Sequence, residues 1–419
     1  MNNRRSFFSR LASAGAGLLA GKPALAAADA PPEPVELPDL KKLPHRMVNG
    51  AKEFHLVAMV VRTEFVPGRP VDAWGFNGSV PGPLMEANEG DRVRVVFHNN
   101  LPEMTAIHWH GFEVPMEMDG SLGLGQDPIP PGGMFVYEFT LHQHGTFFYH
   151  SHFPMQEMMG MLGMFILHPK QPQTPRVDRD FGLVIQEWAL LPNNNVPNTL
   201  AMEFNWLTFN GKAGPDCTPM LVRQGERVRI RLINIGMDHH PIHMHGVTFT
   251  VTGTEGGRIP STMWIPQNTV LVGVAQARDI EFDAKYIGDW MLHCHLPHHM
   301  MNQMVTMVGP MSHGAGAYPA DDPEKKKVPG YPQDMWMNLD HQVRPKAEHH
   351  GLRSGWAAAM MGMMTMVRVL PPGKFDEIMK MKASGALPVP KPAMPGAGHE
   401  HHHPAPPATP APKKPAGVK

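Results

Sequence analysis

Gly145-Thr146-Phe147-Phe148-Tyr149-His150-Ser151-His152 returns 143 residues later as Gly288-Asp289-Trp290-Met291-Leu292-His293-Cys294-His295. In an extended chain residues i and i+2 share a face, so each stretch ends by presenting two imidazoles side by side. The repeat extends outward. His108-Trp109-His110-Gly111 matches His243-Met244-His245-Gly246 at an offset of 135, and Gly90-Asp91-Arg92-Val93-Arg94-Val95-Val96-Phe97 matches Gly225-Glu226-Arg227-Val228-Arg229-Ile230-Arg231-Leu232 at the same offset. The offset grows by eight between the two blocks, which places a longer loop in the second copy. The arginine–valine runs alternate as half-buried strands do, and short β-branched runs alternate with Gly/Pro turns from Phe54 onward. The chain therefore reads as all-β, with one β-sandwich over 50–170 and a second copy over 180–312.

The remaining segments have different compositions. Arg4-Arg5-Ser6-Phe7-Phe8, a weakly apolar stretch from Leu11 to Ala20 and Ala24-Leu25-Ala26 read as a twin-arginine export signal over 1–26. That predicts a periplasmic protein. Residues 27–50 read as a Pro- and charge-rich leader arm. Residues 313–352 have no clear period. Residues 353–383 are expected to be helical, with Met360, Met361, Met363, Met364 and Met366 clustered, so that 313–383 forms a C-terminal extension. The tail 384–419 is Pro- and Ala-rich, carries His399, His401, His402 and His403, and has the composition of disorder.

Composition narrows the function. The chain has 419 residues, with 37 Lys+Arg against 38 Asp+Glu and a net charge of -1, which gives no global basic face for nucleic acid. No apolar run approaches the length of a membrane span. Two cysteines, Cys217 and Cys294, exclude a disulfide-rich scaffold, although one disulfide between them is open on sequence grounds. The excess lies in 34 Met and 26 His, soft and borderline metal ligands.

A single His-x-His pair is weak evidence in a His-rich chain. Four pairs at equivalent places in two repeats are strong evidence: His108/His110, His150/His152, His243/His245 and His293/His295. Cys294 sits inside the last pair, so its thiol points away from the two imidazoles into its own domain. His240 lies three residues before His243, His299 five after Cys294, and Met304 ten after. Two imidazoles, a thiolate and a distant thioether form the ligand set of a blue-copper electron-transfer site. The first repeat has Thr105, Ser151, Gln156 and Met161 at the corresponding places, so it holds no second such site.

At HWHG, GTFFYHSH, HPIHMHG and GDWMLHCHLPHHMMNQM the chain resembles the multicopper oxidases, over about residues 54–310. The resemblance implies two tandem cupredoxin domains, which are Greek-key β-sandwiches, followed by the Met-rich helical extension. His152 and His240 are too close in sequence for a third domain between them. It also implies four coppers per chain. His240, Cys294, His299 and Met304 hold type 1 copper; His108 and His243 hold type 2; His110, His150, His152, His245, His293 and His295 hold the type 3 pair. Asp119, in GFEVPMEMDG, matches a carboxylate that relays protons near type 2 copper, as against an Asp-Gly turn with no chemical role. Met300 stands where some metal-oxidising relatives carry an additional acid. Copper nitrite reductase has the reverse layout, with type 1 copper in its first domain.

The reaction implied is oxidation of a small reductant coupled to reduction of O₂ to water. Three readings of the reductant stand: Cu(I) or another metal ion, in copper tolerance; phenols or other organic donors, as in laccases; or none, in a non-catalytic periplasmic copper-binding protein. Met155, Met158, Met159, Met161 and Met164 near one motif, and Met300, Met301 and Met307 near another, suit Cu(I) as thioethers or simply fill cores. In two-domain family members the cluster forms between neighbouring chains, which predicts a homotrimer, with a cluster between the two domains of one chain as the alternative.

Overall fold

The computed structural model describes residues 33–191, 194–300 and 340–388. The export signal, the His-rich tail and Met301, Met304 and Met307 lie outside the described residues. Four β-sheets stack in the order of the chain's two halves. The first sheet pairs His45–Val48, Ala51–Glu64, Arg92–Asn99 and Met134–Thr140, with Pro70–Phe76 on a side branch. The second runs Met85–Asn88, Leu162–His168, Gly145–Ser151, Ile107–His110. Phe54, Leu56, Phe97 and Tyr137 from the first sheet meet Trp109, Phe147, Tyr149 and Phe165 from the second in one apolar core.

The third sheet is built on Arg179–Trp188, Arg227–Asn234, Gln276–Asp283 and Phe249–Thr254. The fourth runs Met220–Arg223, Met364–Leu370, Gly288–Cys294, His240–Met244, Thr269–Val272. Leu183, Ile230 and Ile280 face Ile242, Leu292, Cys294 and Val367 across the second core. The expected all-β architecture of two sandwiches is present.

The halves pack sheet to sheet. Phe148, Leu162, Met164 and Ile166 on the outward face of the second sheet meet Val184, Ile233 and Ala277 on the outward face of the third. The polar lock at this seam is buried: Thr146 Oγ1 donates to Asp279 at 2.6 Å and accepts from Arg231 at 2.7 Å. Arg229 and Arg231 both clamp Asp180, which holds that carboxyl well below the ordinary range despite its burial. The leader arm contributes too, since Val35–Glu36 pairs with the strand Arg179–Trp188.

The extension departs from expectation. Among the described residues of the extension, α-helix is confined to Pro372–Ser384, which starts on prolines and ends at Gly385 with φ 70°, and Trp356–Ala359 makes only a single 3-10 turn. Met364–Leu370 is a strand of the fourth sheet, parallel to Met220–Arg223 and antiparallel to Gly288–Cys294. The second sandwich is therefore closed by residues far beyond 312. Val367 and Val369 enter the core while Met364 and Met366 face outward, the period-2 pattern of a strand. The high helix propensity of Met disguises that alternation. Cys217 and Cys294 are both free and buried, so no disulfide joins them. Among the described residues no helix is long and apolar enough to cross a membrane.

Candidate metal centre

His240 opens the strand His240–Met244, Cys294 ends Gly288–Cys294, and His299 lies in the short turn Pro297–Met300. Strand pairing sets Ile242 opposite Cys294 and brings the three together. His240 Nδ1 is 3.6 Å from Cys294 Sγ, His299 Nδ1 is 3.5 Å from it, and the two Nδ1 atoms are 3.2 Å apart. His240 and Cys294 are fully buried. Burial pushes the Cys294 thiol up to about 12 and brings His299 down to about 4, with His240 beside it adding to the fall. The pocket disfavours charge on its own donors, which suits a cation that displaces the thiol proton.

The first half supplies a control. Thr105, Ser151 and Gln156 occupy the corresponding pocket and satisfy one another. Thr105 Oγ1 is 3.2 Å from Ser151 Oγ, which donates to Gln156 Oε1 at 2.8 Å, and Gln156 Nε2 donates to Met104 O at 2.8 Å. That pocket is a closed hydrogen-bond network. Its counterpart is a converging set of soft donors, the composition of a blue-copper site.

Strand register offers a candidate for a fourth donor. His150 is paired with Leu162, and His293 with Met364, so Met363 stands where Met161 does. Both are fully buried. The offset between repeats has grown from 143 to 202 at this point, and the additional chain lies between His299 and Met363. Spacing alone gives Met304, which lies outside the described residues. The sequence signal for Met363, which the spacing argument passes over, is that Gly362-Met363-Met364 repeats Gly160-Met161-Leu162 at the head of a strand.

Eight further histidines form two quartets. His108, His110, His150 and His152 stand on the outward face of the second sheet, with ring centroids 5.3–5.7 Å apart where they neighbour. His243, His245, His293 and His295 repeat this on the outward face of the fourth, at 5.0–5.6 Å. Backbone carbonyls fix the rings in matched ways. His150 Nδ1–H donates to Ser151 O at 2.9 Å and His293 Nδ1–H to Cys294 O at 2.8 Å. His108 Nδ1–H donates to Asp119 O at 2.8 Å and His243 Nδ1–H to Asn268 O at 2.7 Å. Each of these rings therefore offers Nε2 as a ligand. Burial and neighbouring imidazoles bring His110 down to about 4, so that ring stays neutral and able to ligate.

Among the described residues no histidine of one quartet contacts the other. The first quartet shares its sheet face with Phe148 at the seam between halves, whereas the second lies beyond the third sheet, the second core and the fourth sheet. Asp119 sits beside the first quartet, its Oδ1 3.5 Å from His108 Nδ1, and it accepts the Ser121 hydroxyl. Gly120, with φ 85°, carries the loop against Ile107 O, where a Cβ would come within 2.0 Å. Asp119 thus lies in a tight turn, with its carboxylate beside His108.

The methionines divide. Met161 lies in the first core, and Met164 lies between the halves. Met360, Met364 and Met366, with Met291, Met300, Leu352 and Trp356, form a separate cluster on the outward face of the fourth sheet.

Sequence comparison agrees with this geometry. The multicopper oxidase family pattern matches residues 60–172 and again 191–311. A copper resistance protein A homolog of Pseudomonas syringae pv. tomato is 42% identical over 124 residues, covering 30% of this chain and 21% of that protein. Laccase-2 of Botryotinia fuckeliana is 32% identical over 240 residues, covering 52% and 40%. The chain thus spans less than half the length of these relatives. Among solved structures, the blue copper oxidase of Nitrosomonas europaea superposes with a TM-score of 0.56 at 31% identity, over 60% of this chain and 81% of that one. With two family matches covering more than half its length and the ligand pattern repeated in both sandwiches, the chain belongs to the multicopper oxidases.

Proposed function

We propose that this protein couples one-electron oxidations of a small reductant to the four-electron reduction of O₂ to water. The observation that carries the reading is a buried His₂Cys set whose cysteine is flanked in sequence by two outward-facing histidines. His240, Cys294, His299 and Met363 hold type 1 copper. His108 and His243 hold type 2, and His110, His150, His152, His245, His293 and His295 hold the type 3 pair, four coppers per chain in all.

Bound copper supplies the one-electron redox chemistry and the binding of O₂. The chain supplies geometry and protons. Cys294 is joined through the backbone to His293 and His295, a short covalent route between the two kinds of site. Asp119 holds His108 with Nε2 outward, and its half-buried carboxylate can carry a proton from solvent to the cluster. A storage protein has no use for the buried His₂Cys pocket, so that reading is the weaker one.

Within one chain the quartets face different ways. A cluster of eight imidazoles therefore forms when the fourth sheet of one copy docks against the histidine-bearing edge strand Ile107–His110 of the next copy's second sheet. Such a head-to-tail contact makes a ring when its rotation closes. We assign a homotrimer with a cluster at each junction, exported to the periplasm by its twin-arginine signal.

The Met cluster favours Cu(I) as the reductant. It follows His299 at Met300 and Met363 at Met364, so five thioethers gather next to the type 1 pocket. Copper resistance proteins among the relatives point the same way, and laccases among them keep a phenolic donor as the second reading. O₂ uptake by the copper-loaded protein, compared for Cu(I), Fe(II) and a phenol, is the test. Faster uptake with Cu(I) that falls when Met364 and Met366 are replaced by Leu supports the first reading; uptake with the phenol alone supports the second.

A further inference from the structure

Glu187, one residue from the end of the strand Arg179–Trp188, is fully buried. Among the described residues no Lys or Arg lies within ion-pair distance of it; its partner is His240. A buried carboxylate without a cation is costly unless hydrogen bonds hold it. Three groups do so. Oε1 accepts the backbone N–H of Met237 and that of Asp238, the latter at 2.7 Å. Oε2 lies 3.2 Å from His240 Nε2. Nδ1, the other nitrogen of that ring, faces Cys294 Sγ and His299. The imidazole is therefore strung between the carboxylate and the pocket. Its proton on Nε2 leaves the Nδ1 lone pair for a metal.

The repeat again gives a control. Strand register sets Ala58 opposite Asn99 and Ile185 opposite Asn234, so Val60 occupies the place of Glu187 in the first half. Val60 is 50% exposed and has nothing to offer an imidazole. The carboxylate and the His₂Cys donors are present together in one half and replaced together in the other. Space is reserved as well: a Cβ at Gly236 would fall 2.0 Å from Glu187 Oε2, so only glycine admits the carboxylate there.

We propose that Glu187 is a positioning residue for type 1 copper that also sets its reduction potential. The carboxylate fixes His240 as an Nδ1 ligand, and a buried negative charge one ring away favours Cu(II) over Cu(I), which draws the potential down. A lower potential eases onward transfer to the cluster and narrows the reductants to readily oxidised ones. The inference rests on His240, Cys294 and His299 forming a type 1 site.

The test is spectroelectrochemical titration of the blue band in the copper-loaded full chain, with copper content measured alongside. Glu187→Gln conserves the shape and removes the charge, and since its amide accepts through one oxygen only, it also gives up the bond from either the His240 ring or the two backbone N–H groups. It is expected to retain the band and raise the potential, while Glu187→Asp stays nearer the parent. An intact band at the parent potential in Glu187→Gln overturns the proposal. If Glu187→Gln does not fold, Gly236→Ala takes its place, because it displaces the carboxylate without changing residue 187: an upward shift supports the proposal and an unchanged potential overturns it. A parent protein with no blue band fails the type 1 reading itself, which is a distinguishable result.

Discussion

The backbone N–H of Cys294 donates to the carbonyl of Met363 at 3.0 Å, just as Ser151 donates to Met161 at 2.9 Å in the first half. Met363 N–H in turn donates to His299 O at 2.8 Å. Three of the proposed donors are thus tied by main-chain bonds, and the thioether of Met363 shares the core with Cys294. Met363→Leu is expected to keep the blue band and raise the type 1 potential, because the axial group tunes it. Leu conserves volume, so the stability loss stays below about 1.5 kcal/mol. Met304→Leu is expected to change neither band nor potential. A shift with Met304 and none with Met363 assigns the axial place to the residue indicated by spacing.

Cys294→Ser is expected to abolish the blue absorption and turnover with every reductant, while the cluster keeps its copper. The reciprocal change, Ser151→Cys, creates no second blue site, since Thr105 and Gln156 still offer no imidazole. Absorption spectra and copper analysis of the two variants check both. A blue band from Ser151→Cys contradicts the correspondence of the halves.

Much of this was legible in the sequence because it repeats. Strand alternation placed the His-x-His pairs on one face each, and the second copy showed which pairs were not accidental. The register of Met364–Leu370 was hidden because the strand is separated from Gly288–Cys294 by a long insertion, and because Met favours helices in isolation. Glu187 could not be singled out: it stands in an apolar run, and only three-dimensional pairing brings it to His240. That the two quartets face apart is a property of how sheets stack, on which local sequence is silent.

Acid is expected to destabilise the copper-free protein. Burial and neighbouring imidazoles hold His110 and His299 at about 4; burial, then Arg231, holds His168 at about 4; burial, then Lys346, holds His349 at about 3. These folded values lie below the ordinary 6.5, so between 6.5 and about 4 the unfolded chain binds protons that the folded chain refuses. Stability rises with pH across that window and is lost as pH falls through it. Thermal unfolding of the metal-free protein at about pH 4.5 and about pH 7.5 measures this, with the lower Tm expected in acid. Equal values contradict the sign.

Asp119→Asn is expected to slow O₂ reduction severalfold and alter its pH profile, with the blue band unchanged, because the carboxylate lies beside His108 and away from Cys294. Restoration by Asp119→Glu separates proton delivery from mere turn formation. An unaltered pH profile in Asp119→Asn leaves the residue as part of the turn alone.

The separation of the two histidine quartets is the claim on which the rest depends, and it is tested by asking which species reduces O₂. Light scattering fixes the mass of the copper-loaded protein, and a charge substituted at the docking face, or mild denaturant, yields monomer for comparison. The trimer is expected to hold four coppers per chain and consume O₂, while the monomer keeps the blue band and loses O₂ uptake. A monomer that reduces O₂ with its full complement of copper contradicts the account and places the whole cluster within one chain.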